Sequence, residues 1–247
     1  MSNNKLNVLL TRPLNKSQQL AKVIAPIVSN IEITPLFAYQ SGEQQPSLKQ
    51  QLSNLNPEFI IFISPAAANF ALQVTDFSEQ LKNTTFIAVG QASANILIAH
   101  DIKNVIVPEL ETSEGLLALS ELQNIANKQV LIIRGNGGRE LLKQQLELKQ
   151  AKVAYNEVYK RQWITLTAKQ TIDKWRKDEI NCIVITSSEL LEKTLSLITD
   201  MNWAKSCHWI VASARIAEQA NAHGLIKVIN AQGASHQHIY KAMTALI

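Results

Sequence analysis

Long hydrophobic runs are absent from this 247-residue chain, and cysteine is nearly absent. The longest apolar stretches, such as residues 59–63, are far too short to cross a bilayer, so no membrane span is expected. Only Val8-Leu9-Leu10 precede Arg12-Pro13 as an apolar run, so we expect no signal peptide. The two cysteines, Cys182 and Cys207, are too few for a disulfide framework and indicate reduced core thiols. We therefore expect a soluble, cytoplasmic protein with no membrane partner.

The sequence also lacks the usual catalytic and ligand-binding motifs. No Gly-Lys-Ser/Thr completes a Walker loop and no third glycine completes a dinucleotide fingerprint, which argues against a nucleotide-dependent transferase. No pair of carboxylates ends a predicted strand, and no Gly-x-Ser-x-Gly elbow occurs, so paired-carboxylate hydrolysis has no support. His236-x-His238 has no cysteine or carboxylate neighbour, so we expect a solvated helix start and no metal site. The four tryptophans are scattered, as packing residues are, and predict no platform for nucleic-acid bases.

What is present is a large apolar fraction with a mild positive charge. Hydrophobic residues make up 46% of the chain, which supports packed cores and excludes a disordered or fibrous protein. The net charge of +4 favours an anionic partner. Because no block of basic residues occurs, that partner is not expected to be a nucleic acid.

The centre of the chain predicts a strand, a sharp turn and a helix in succession. Residues 130–133 form an apolar strand run, and a glycine-rich turn leads into a helical pattern at Glu140. Such a corner can bring backbone N–H groups, a helix N-terminus and two guanidinium groups together, which suits an anionic ligand. The alternative is a glycine-rich turn that binds nothing. The candidate binding residues are Arg134, Gly135, Asn136, Gly137, Gly138 and Arg139.

Predicted strands alternate with predicted helices along the whole chain, which calls for parallel sheets with helices on both faces. The predicted elements include a helix over residues 17–28 and strands over residues 105–107 and 153–159. A helix is predicted to start at Ser188, and no second helix is predicted before the strand at 208–211.

Two sequence offsets indicate an internal duplication. Residues 61–64 align with 184–187, and 86–90 with 209–213, at a single offset of 123. Residues 8–13 align with 130–135 at an offset of 122, so the start of the chain completes the second copy. The pattern predicts an α/β fold with two doubly wound parallel-sheet domains, one over residues 41–158 and one discontinuous, from 1–36 and 165–247. The chain would cross between them near 35–40 and 159–164, and two adjacent crossings predict a hinge with a ligand cleft.

Hydroxyl groups and arginines cluster at the carboxyl ends of the predicted strands, where open α/β sheets bind ligands. Each serine or threonine there could instead be a helix N-cap, and capping and ligand contact can coexist. The candidates, from both predicted domains, are Arg12, Ser64, Thr186, Ser187, Ser188 and Ser213.

Tyr159 stands apart from these candidates because it falls at one of the predicted crossings. Its counterpart in the repeat, Phe37, has no hydroxyl. A hydroxyl on one side only of a pseudo-symmetric site suggests chemistry; the alternative is an amphipathic residue at a hinge surface.

These residues carry a resemblance to the uroporphyrinogen-III synthase family, particularly its bacterial members. The most specific segments are Arg134-Gly135-Asn136-Gly137-Gly138-Arg139 and, before it, residues 112–117. Residues 8–13, 62–68, 88–94, 158–161, 184–187 and 211–217 extend the similarity over nearly the whole chain. The family fold, two α/β domains joined by a two-stranded ladder, agrees with the division predicted from the repeat.

The resemblance implies a lyase that closes hydroxymethylbilane, a linear tetrapyrrole with eight carboxylates, without a cofactor. The last pyrrole ring is inverted through a spiro intermediate, water is lost, and the product is uroporphyrinogen III. By motif match Tyr159 is the implied proton donor to the departing hydroxyl, or a residue that only orients the substrate. Ser64-Pro65-Ala66 stands where the family often has Ser-x-Asn or Ser-x-His, and Ile216 stands where some members have Thr. The resemblance therefore implies no role for the side chains of Ala66 and Ile216.

Two alternatives remain at this point. The chain could be a non-catalytic two-domain binder of a polyanionic small molecule, which its composition fits as well. Arg12 and Arg134 could be structural, pairing at strand ends. A transient hand-over of product to neighbouring pathway enzymes is a further expectation.

Overall fold

The computed structural model describes residues 6–78, 82–137 and 140–247. Its strands are β1 Asn7–Leu10, β2 Asn30–Ile33, β3 Phe37–Ser41, β4 Phe59–Phe62, β5 Thr85–Ala88, β6 Gln129–Gly135, β7 Lys152–Trp163, β8 Cys182–Ile185, β9 His208–Val211 and β10 Val228–Asn230. Its α-helices are α1 Leu14–Ile24, α2 Leu48–Leu55, α3 Pro65–Leu72, α4 Gln91–Ile98, α5 Ser113–Ala118, α6 Leu141–Leu148, α7 Ala168–Lys177, α8 Ser188–Leu197, α9 Met201–Ser206, α10 Ala214–Ala222 and α11 His236–Thr244. Within these ranges, no helix has the length and apolar character needed to cross a membrane.

The chain folds as two compact units. The continuous unit is Tyr39–Arg161, and the discontinuous unit combines the chain up to Ala38 with Gln162–Ile247. The divisions therefore lie within β3 and β7.

The discontinuous unit contains a five-stranded sheet in the order β10-β9-β8-β1-β2, with every neighbouring pair parallel. Helices α1 and α11 pack side by side on one face of this sheet. Leu20 of α1 and Ile239 of α11 join Val8 and Leu10 of β1 in that core. Strand β1 lies in the interior of the sheet, between β8 and β2, although it is the first strand of the chain.

The continuous unit contains a sheet in the order β3-β7-β6-β4-β5, parallel from β7 to β5. Successive residues of β4 enter different cores: Ile60 and Phe62 pack with α2, α3 and α4, whereas Ile61 packs with α5 and α6. This alternation is the period of two that a strand covered on both faces must show. The unit is a doubly wound α/β sheet, as predicted.

The two sheets have the same strand order once the sequence offsets are applied. Strands β5-β4-β6-β7 of the continuous unit correspond to β9-β8-β1-β2 of the discontinuous unit. The counterpart of β10 is reduced to a single bridge between Ile87 and Ile106. The predicted strand at 105–107 is therefore too long: Asn104 has a positive φ of 59° and Pro108 cannot donate to a ladder, so regular pairing stops on both sides.

Other differences from the sequence prediction also have local causes. Helix α1 begins at Leu14, directly after Pro13, and gives way at Ala25 to a 3₁₀ turn that contains Pro26. Helix α9 was not predicted; Asp200 caps it by accepting from the backbone N–H groups of Asn202 and Trp203.

Candidate functional site

An irregularity between β6 and β7 places Tyr159 over Gly135. Arg134 pairs with Glu157, but Gly135 pairs with Tyr159, so Val158 is an extra residue on β7. Bulges of this kind redirect a side chain and are common beside active sites. The backbone N–H of Asn136 then donates to the Tyr159 carbonyl at 2.8 Å, which holds the displaced register.

Gly135 leaves the space that the Tyr159 ring occupies. A Cβ atom built on Gly135 would lie 2.5 Å from two ring carbons of Tyr159 and 2.9 Å from its hydroxyl oxygen. No side chain can be accommodated at that distance while the ring stays where it is. Position 135 therefore requires glycine, because the Tyr159 ring approaches the backbone too closely for a side chain.

Three other side chains complete the surroundings of the Tyr159 ring. Tyr39 meets it edge-on, with ring centroids 5.0 Å apart, and Phe70 of α3 stacks on it at 5.7 Å. The Tyr159 hydroxyl lies 3.2 Å from the Ser64 hydroxyl, and either group can be the donor. Ser64 is also the N-cap of α3, because its Oγ accepts from the Ala67 N–H at 3.0 Å. Capping and contact with the candidate catalytic residue thus coexist in one side chain.

The glycine-rich turn is held by contacts inside the continuous unit. Asn136 Oδ1 accepts from the Arg161 N–H at 3.3 Å, and the Gly137 N–H donates to a Glu157 carboxylate oxygen at 3.3 Å. Gly137 has a φ of +71°, in the region that favours glycine. Gly138 and Arg139, both predicted to bind substrate, lie outside the described residues.

The Arg134 guanidinium points into the continuous unit. Its side chain is 1% exposed; Nη1 donates to Glu140 Oε1 at 2.9 Å, Nε to the Gly135 carbonyl at 3.2 Å, and Nη2 to the Gly137 carbonyl. Its carbon Cζ also lies 4.4 Å from the centre of the Tyr155 ring. These contacts favour the structural alternative for Arg134, because its donors are already used to brace the turn.

The side chains that hold Arg134 were not singled out from the sequence. The Tyr155 hydroxyl donates to Glu140 Oε2 at 2.9 Å, and burial, followed by this carboxylate, raises the pKa of Tyr155 to about 12. The hydrogen bond from Tyr155, with that from Arg134, lowers the pKa of Glu140. Sequence spacing gave no signal for them, because the bulge lies between Tyr155 and Tyr159 and the two rings pack into different cores of the unit.

In the discontinuous unit, the predicted hydroxyl groups lie at helix starts. Ser187 caps α8 by accepting from the Leu190 N–H at 3.2 Å, and Ser213 caps α10 by accepting from the Ile216 N–H at 3.4 Å. Thr186 is half-buried just before the cap. The Ser188 hydroxyl oxygen is enclosed and, among the described residues, has no hydrogen-bond partner. Ser188 can therefore offer a ligand its backbone N–H but not its hydroxyl.

Arg12 follows β1 and is half-buried. Its Nη1 donates to the Ala234 carbonyl at 3.2 Å, in the loop before α11. Lys16, in the first turn of α1, and His236, the first residue of α11, are half-buried on the two neighbouring helices. Burial, then the positive charges of Arg12 and Lys16, lower the pKa of His236. Neither Lys16 nor His236 was predicted from the sequence as a binding residue.

A metal centre has no support in the described parts of either unit. No group of three or more His, Cys, Asp or Glu side chains there could hold an ion.

Comparison with known proteins identifies the family. The model of the family described as "Uroporphyrinogen-III synthase HemD" matches residues 21–241. The uroporphyrinogen-III synthase of Escherichia coli (strain K12) is 31% identical over 96% of this chain and all of its own length. That of Salmonella typhimurium is 30% identical over the same shares.

The chain belongs to the uroporphyrinogen-III synthase family. It is thus an enzyme of tetrapyrrole biosynthesis, of the lyase class.

Solved structures of uroporphyrinogen-III synthases share its fold. A mutant of the Thermus thermophilus enzyme aligns over 98% of both chains with a TM-score of 0.61 and 12% identity. The Helicobacter pylori enzyme aligns over 98% of this chain and all of its own, with a TM-score of 0.61 and 14% identity. The two-domain α/β architecture expected from the resemblance is therefore confirmed.

Within this synthase, the structure brings together only some of the predicted site residues. Ser64, Gly135 and Tyr159 meet in the continuous unit, with the Gly137 turn beside them. Ser187, Ser188 and Ser213 lie at the carboxyl ends of β8 and β9 in the other unit. Their assignment to substrate binding stays a prediction.

Proposed function

We propose that this enzyme closes hydroxymethylbilane into uroporphyrinogen III without a cofactor, inverting the last pyrrole ring. One observation supports a catalytic role for this site: the Tyr159 and Ser64 hydroxyls lie within hydrogen-bond distance at the carboxyl end of the continuous unit's sheet. A half-buried phenol with a second hydroxyl behind it is suited to donate a proton, since a phenol is protonated at neutral pH.

The proton donation follows a chain of donors. The Ala67 N–H donates to Ser64 Oγ, which leaves the Ser64 O–H to donate to Tyr159 Oη. The Tyr159 O–H then points to the terminal hydroxyl of the bilane, which leaves as water while the pyrrole nitrogen supplies electrons. The resulting phenolate is stabilised by the Ser64 hydroxyl and by the N-terminus of α3 behind it.

Ring inversion follows from the azafulvene that the departing water leaves behind. The substituted carbon of the last ring attacks it to give a spiro intermediate, which fragments and closes again with that ring inverted. One bond to oxygen is broken and, net, one carbon–carbon bond is formed. The proton that the last ring loses from its unsubstituted carbon at the final closure replaces the proton that Tyr159 gave up, so the product differs from the bilane by one water. Holding the flexible chain in one attack geometry is the main task of the protein, and such orientation can supply several kcal/mol of the barrier.

The eight substrate carboxylates require hydrogen-bond donors, and both units offer them. We assign this role to backbone N–H groups at the starts of α3, α8 and α10, capped by Ser64, Ser187 and Ser213. The N–H groups of Asn136 and Gly137 already donate within the continuous unit, so the turn contributes the side-chain amide of Asn136, whose Oδ1 accepts from Arg161 and whose nitrogen can donate. Arg12 adds a positive charge in the discontinuous unit. Arg134 is left out of this set because its donors serve the turn.

The deciding experiment is isomer analysis. The protein is incubated with freshly generated hydroxymethylbilane, and the products are oxidised and separated. Type III uroporphyrin is expected; type I alone, the product of uncatalysed closure, would exclude the proposal.

The role of Tyr159 is tested by Tyr159→Phe, with Tyr240→Phe on α11 as the matched control. If the phenol donates the proton, kcat falls at least about a hundredfold, the usual scale of general acid catalysis, while the thermal midpoint stays close to that of the wild type. Tyr240→Phe should keep full activity. An unchanged kcat for Tyr159→Phe would remove the hydroxyl from the mechanism.

We further propose the cytoplasm as the site of action, with direct transfer of product to a neighbouring pathway enzyme. Cys182 and Cys207 are buried free thiols, and burial raises their pKa to about 12 and about 11, which suits a reducing compartment. Cell fractionation tests the location. An inactive variant of the next pathway enzyme, added in excess, tests direct transfer. It would trap product that is released into solution, whereas directly transferred product would escape it.

A further inference from the structure

We infer that Lys16 and His236, together with Arg12, form a binding site in the discontinuous unit for one carboxylate-bearing arm of the substrate. The inference rests on the proposed function, which it extends to two residues that the sequence did not indicate. All three residues are within one unit, at the end of its sheet where the strands have their carboxyl ends.

The topology explains why these three residues lie at the same end of the sheet. Helices α1 and α11 follow β1 and β10, pack beside each other and begin at the same edge of the parallel sheet. Lys16 is in the first turn of α1 and His236 is the first residue of α11. Arg12 joins the two starts, because its guanidinium donates to Ala234, two residues before His236.

The charges that act on His236 are of one sign. Arg12 faces it from the loop after β1 and Lys16 faces it from α1; on α11 itself, His238 is turned to the Ser235 hydroxyl, 2.6 Å away. Within the described ranges, no ion pair joins Lys16 or His236 to a carboxylate. Holding Lys16 and a protonated His236 close together at half-buried positions raises the energy of the empty protein, and a bound anion lowers it.

Burial first, and then the two neighbouring cations, act on the protonation of His236. Burial and the two cations lower its pKa from the ordinary value of 6.5. A carboxylate bound beside it must have the opposite effect and raise that pKa, so substrate binding takes up a proton. Affinity therefore increases as the pH falls through the pKa of the bound state, and the increase ends below the lower pKa of the free state. The substrate carboxylates remain ionised in this range, since their pKa values are near those of Asp and Glu.

The kinetic test compares Lys16→Gln and His236→Gln with Lys22→Gln, which removes the same charge from the exposed last turn of α1. Lys16→Gln should raise KM for hydroxymethylbilane about three- to tenfold with kcat unchanged, because the lost contact serves binding alone. The wild type is expected to show a decrease in KM between pH 8 and pH 6, and His236→Gln should abolish that decrease. Lys22→Gln should behave as the wild type throughout.

A stability measurement separates binding from a structural role. Removing one of several like charges should leave the thermal midpoint of Lys16→Gln equal to that of the wild type or higher, while KM becomes worse. A residue that merely supported the fold would lower the midpoint. In an enzyme that makes the type III product, wild-type KM values for Lys16→Gln and His236→Gln from pH 6 to pH 8 would overturn the inference.

A second readout does not depend on catalysis. The His236 ring resonance is followed by NMR against pH in the full chain, without ligand and with saturating propane-1,2,3-tricarboxylate, and is assigned with His236→Gln. The probe should raise the pKa of His236, and Lys16→Gln should reduce that rise. If the wild type yields only type I product, the proposed function fails and this titration decides the site by itself: a pKa unmoved by the probe would overturn the inference.

Discussion

Arg134 and Arg12 occupy equivalent positions in the two units, 122 residues apart, yet their surroundings differ. Arg134 is buried, donates to Glu140 and lies over the ring of Tyr155. The residues equivalent to Glu140 and Tyr155 in the discontinuous unit are Gln18 and Ile33, which can provide neither a charge nor a ring. Arg12 is accordingly half-buried and reaches the loop before α11.

The comparison shows how one framework supports two uses of the same side chain. In the continuous unit, the arginine braces a turn that keeps Gly135 under the Tyr159 ring. In the discontinuous unit, Arg12 lies near Lys16 and His236 and adds its positive charge to theirs. The neighbours of an arginine, more than its position at a strand end, decide which contacts it makes.

The strongest test of this contrast makes the same substitution at both positions. Arg134→Met should lower the free energy of unfolding by about 2–3 kcal/mol, because it breaks an ion pair whose arginine is 1% exposed and frees the turn. Arg12→Met should cost only about 1 kcal/mol, because Arg12 is half-buried, but should raise KM. Urea unfolding and steady-state kinetics measure both; equal losses of stability would refute the contrast.

A smaller effect is expected from the glycine beneath Tyr159. Gly135→Ala should lower the free energy of unfolding by about 2 kcal/mol and kcat with it, because the new methyl group displaces the ring. Gly137→Ala is the matched control: no atom lies within 4 Å of its added Cβ, and only the positive φ of +71° opposes the change, at about 1 kcal/mol. Thermal unfolding and kcat of the pair are compared, and a Gly137→Ala variant with the larger loss of kcat would contradict the close-contact explanation.

The smallest effect concerns acid stability. Hydrogen bonds from Tyr155 and Arg134 lower the pKa of Glu140 in the folded state below its ordinary value of 4.5. A carboxyl group of this kind stabilises the fold fully above its unfolded pKa, and the contribution is lost as the pH falls through the folded pKa. Glu140→Gln should therefore flatten the decline in stability below about pH 4.5.

The control for this measurement is Glu147→Gln on the same helix. Glu147 makes an exposed ion pair with Lys143 at 3.7 Å, which is worth little. For Glu147→Gln, the free energy of unfolding should decline at acid pH as steeply as it does for the wild type, as monitored by urea unfolding at several pH values. An equally steep decline for Glu140→Gln would argue against a role for the Tyr155–Glu140 contact.

The fold could be predicted largely because its signals are local and repeated. Apolar runs such as residues 59–63 and 130–133 mark buried strands, and the offsets of 122 and 123 place the first strand beside β8. Element ends were less accurate, because Pro26, Asn104 and Pro108 act on the backbone without changing the apolar pattern.

The site could be predicted in its residue types but not in its contacts. Ser64, Gly135 and Tyr159 were found from strand ends, yet the bulge at Val158 that joins Tyr159 to Gly135 has no sequence signature. The inward turn of Arg134 depends on Glu140 and Tyr155, which come from a turn and a neighbouring strand. Such pairings are tertiary and cannot be inferred from spacing alone. That the two units arose by duplication also stays a prediction.

The interior place of β1 in its sheet has a consequence for synthesis on the ribosome. One of its neighbours, β2, is translated soon afterwards, but the other, β8, begins at Cys182. One edge of β1 therefore stays unpaired until the whole of the continuous unit has been synthesised. A nascent chain halted before residue 182 presents that unpaired strand edge, and such edges promote aggregation and capture by chaperones.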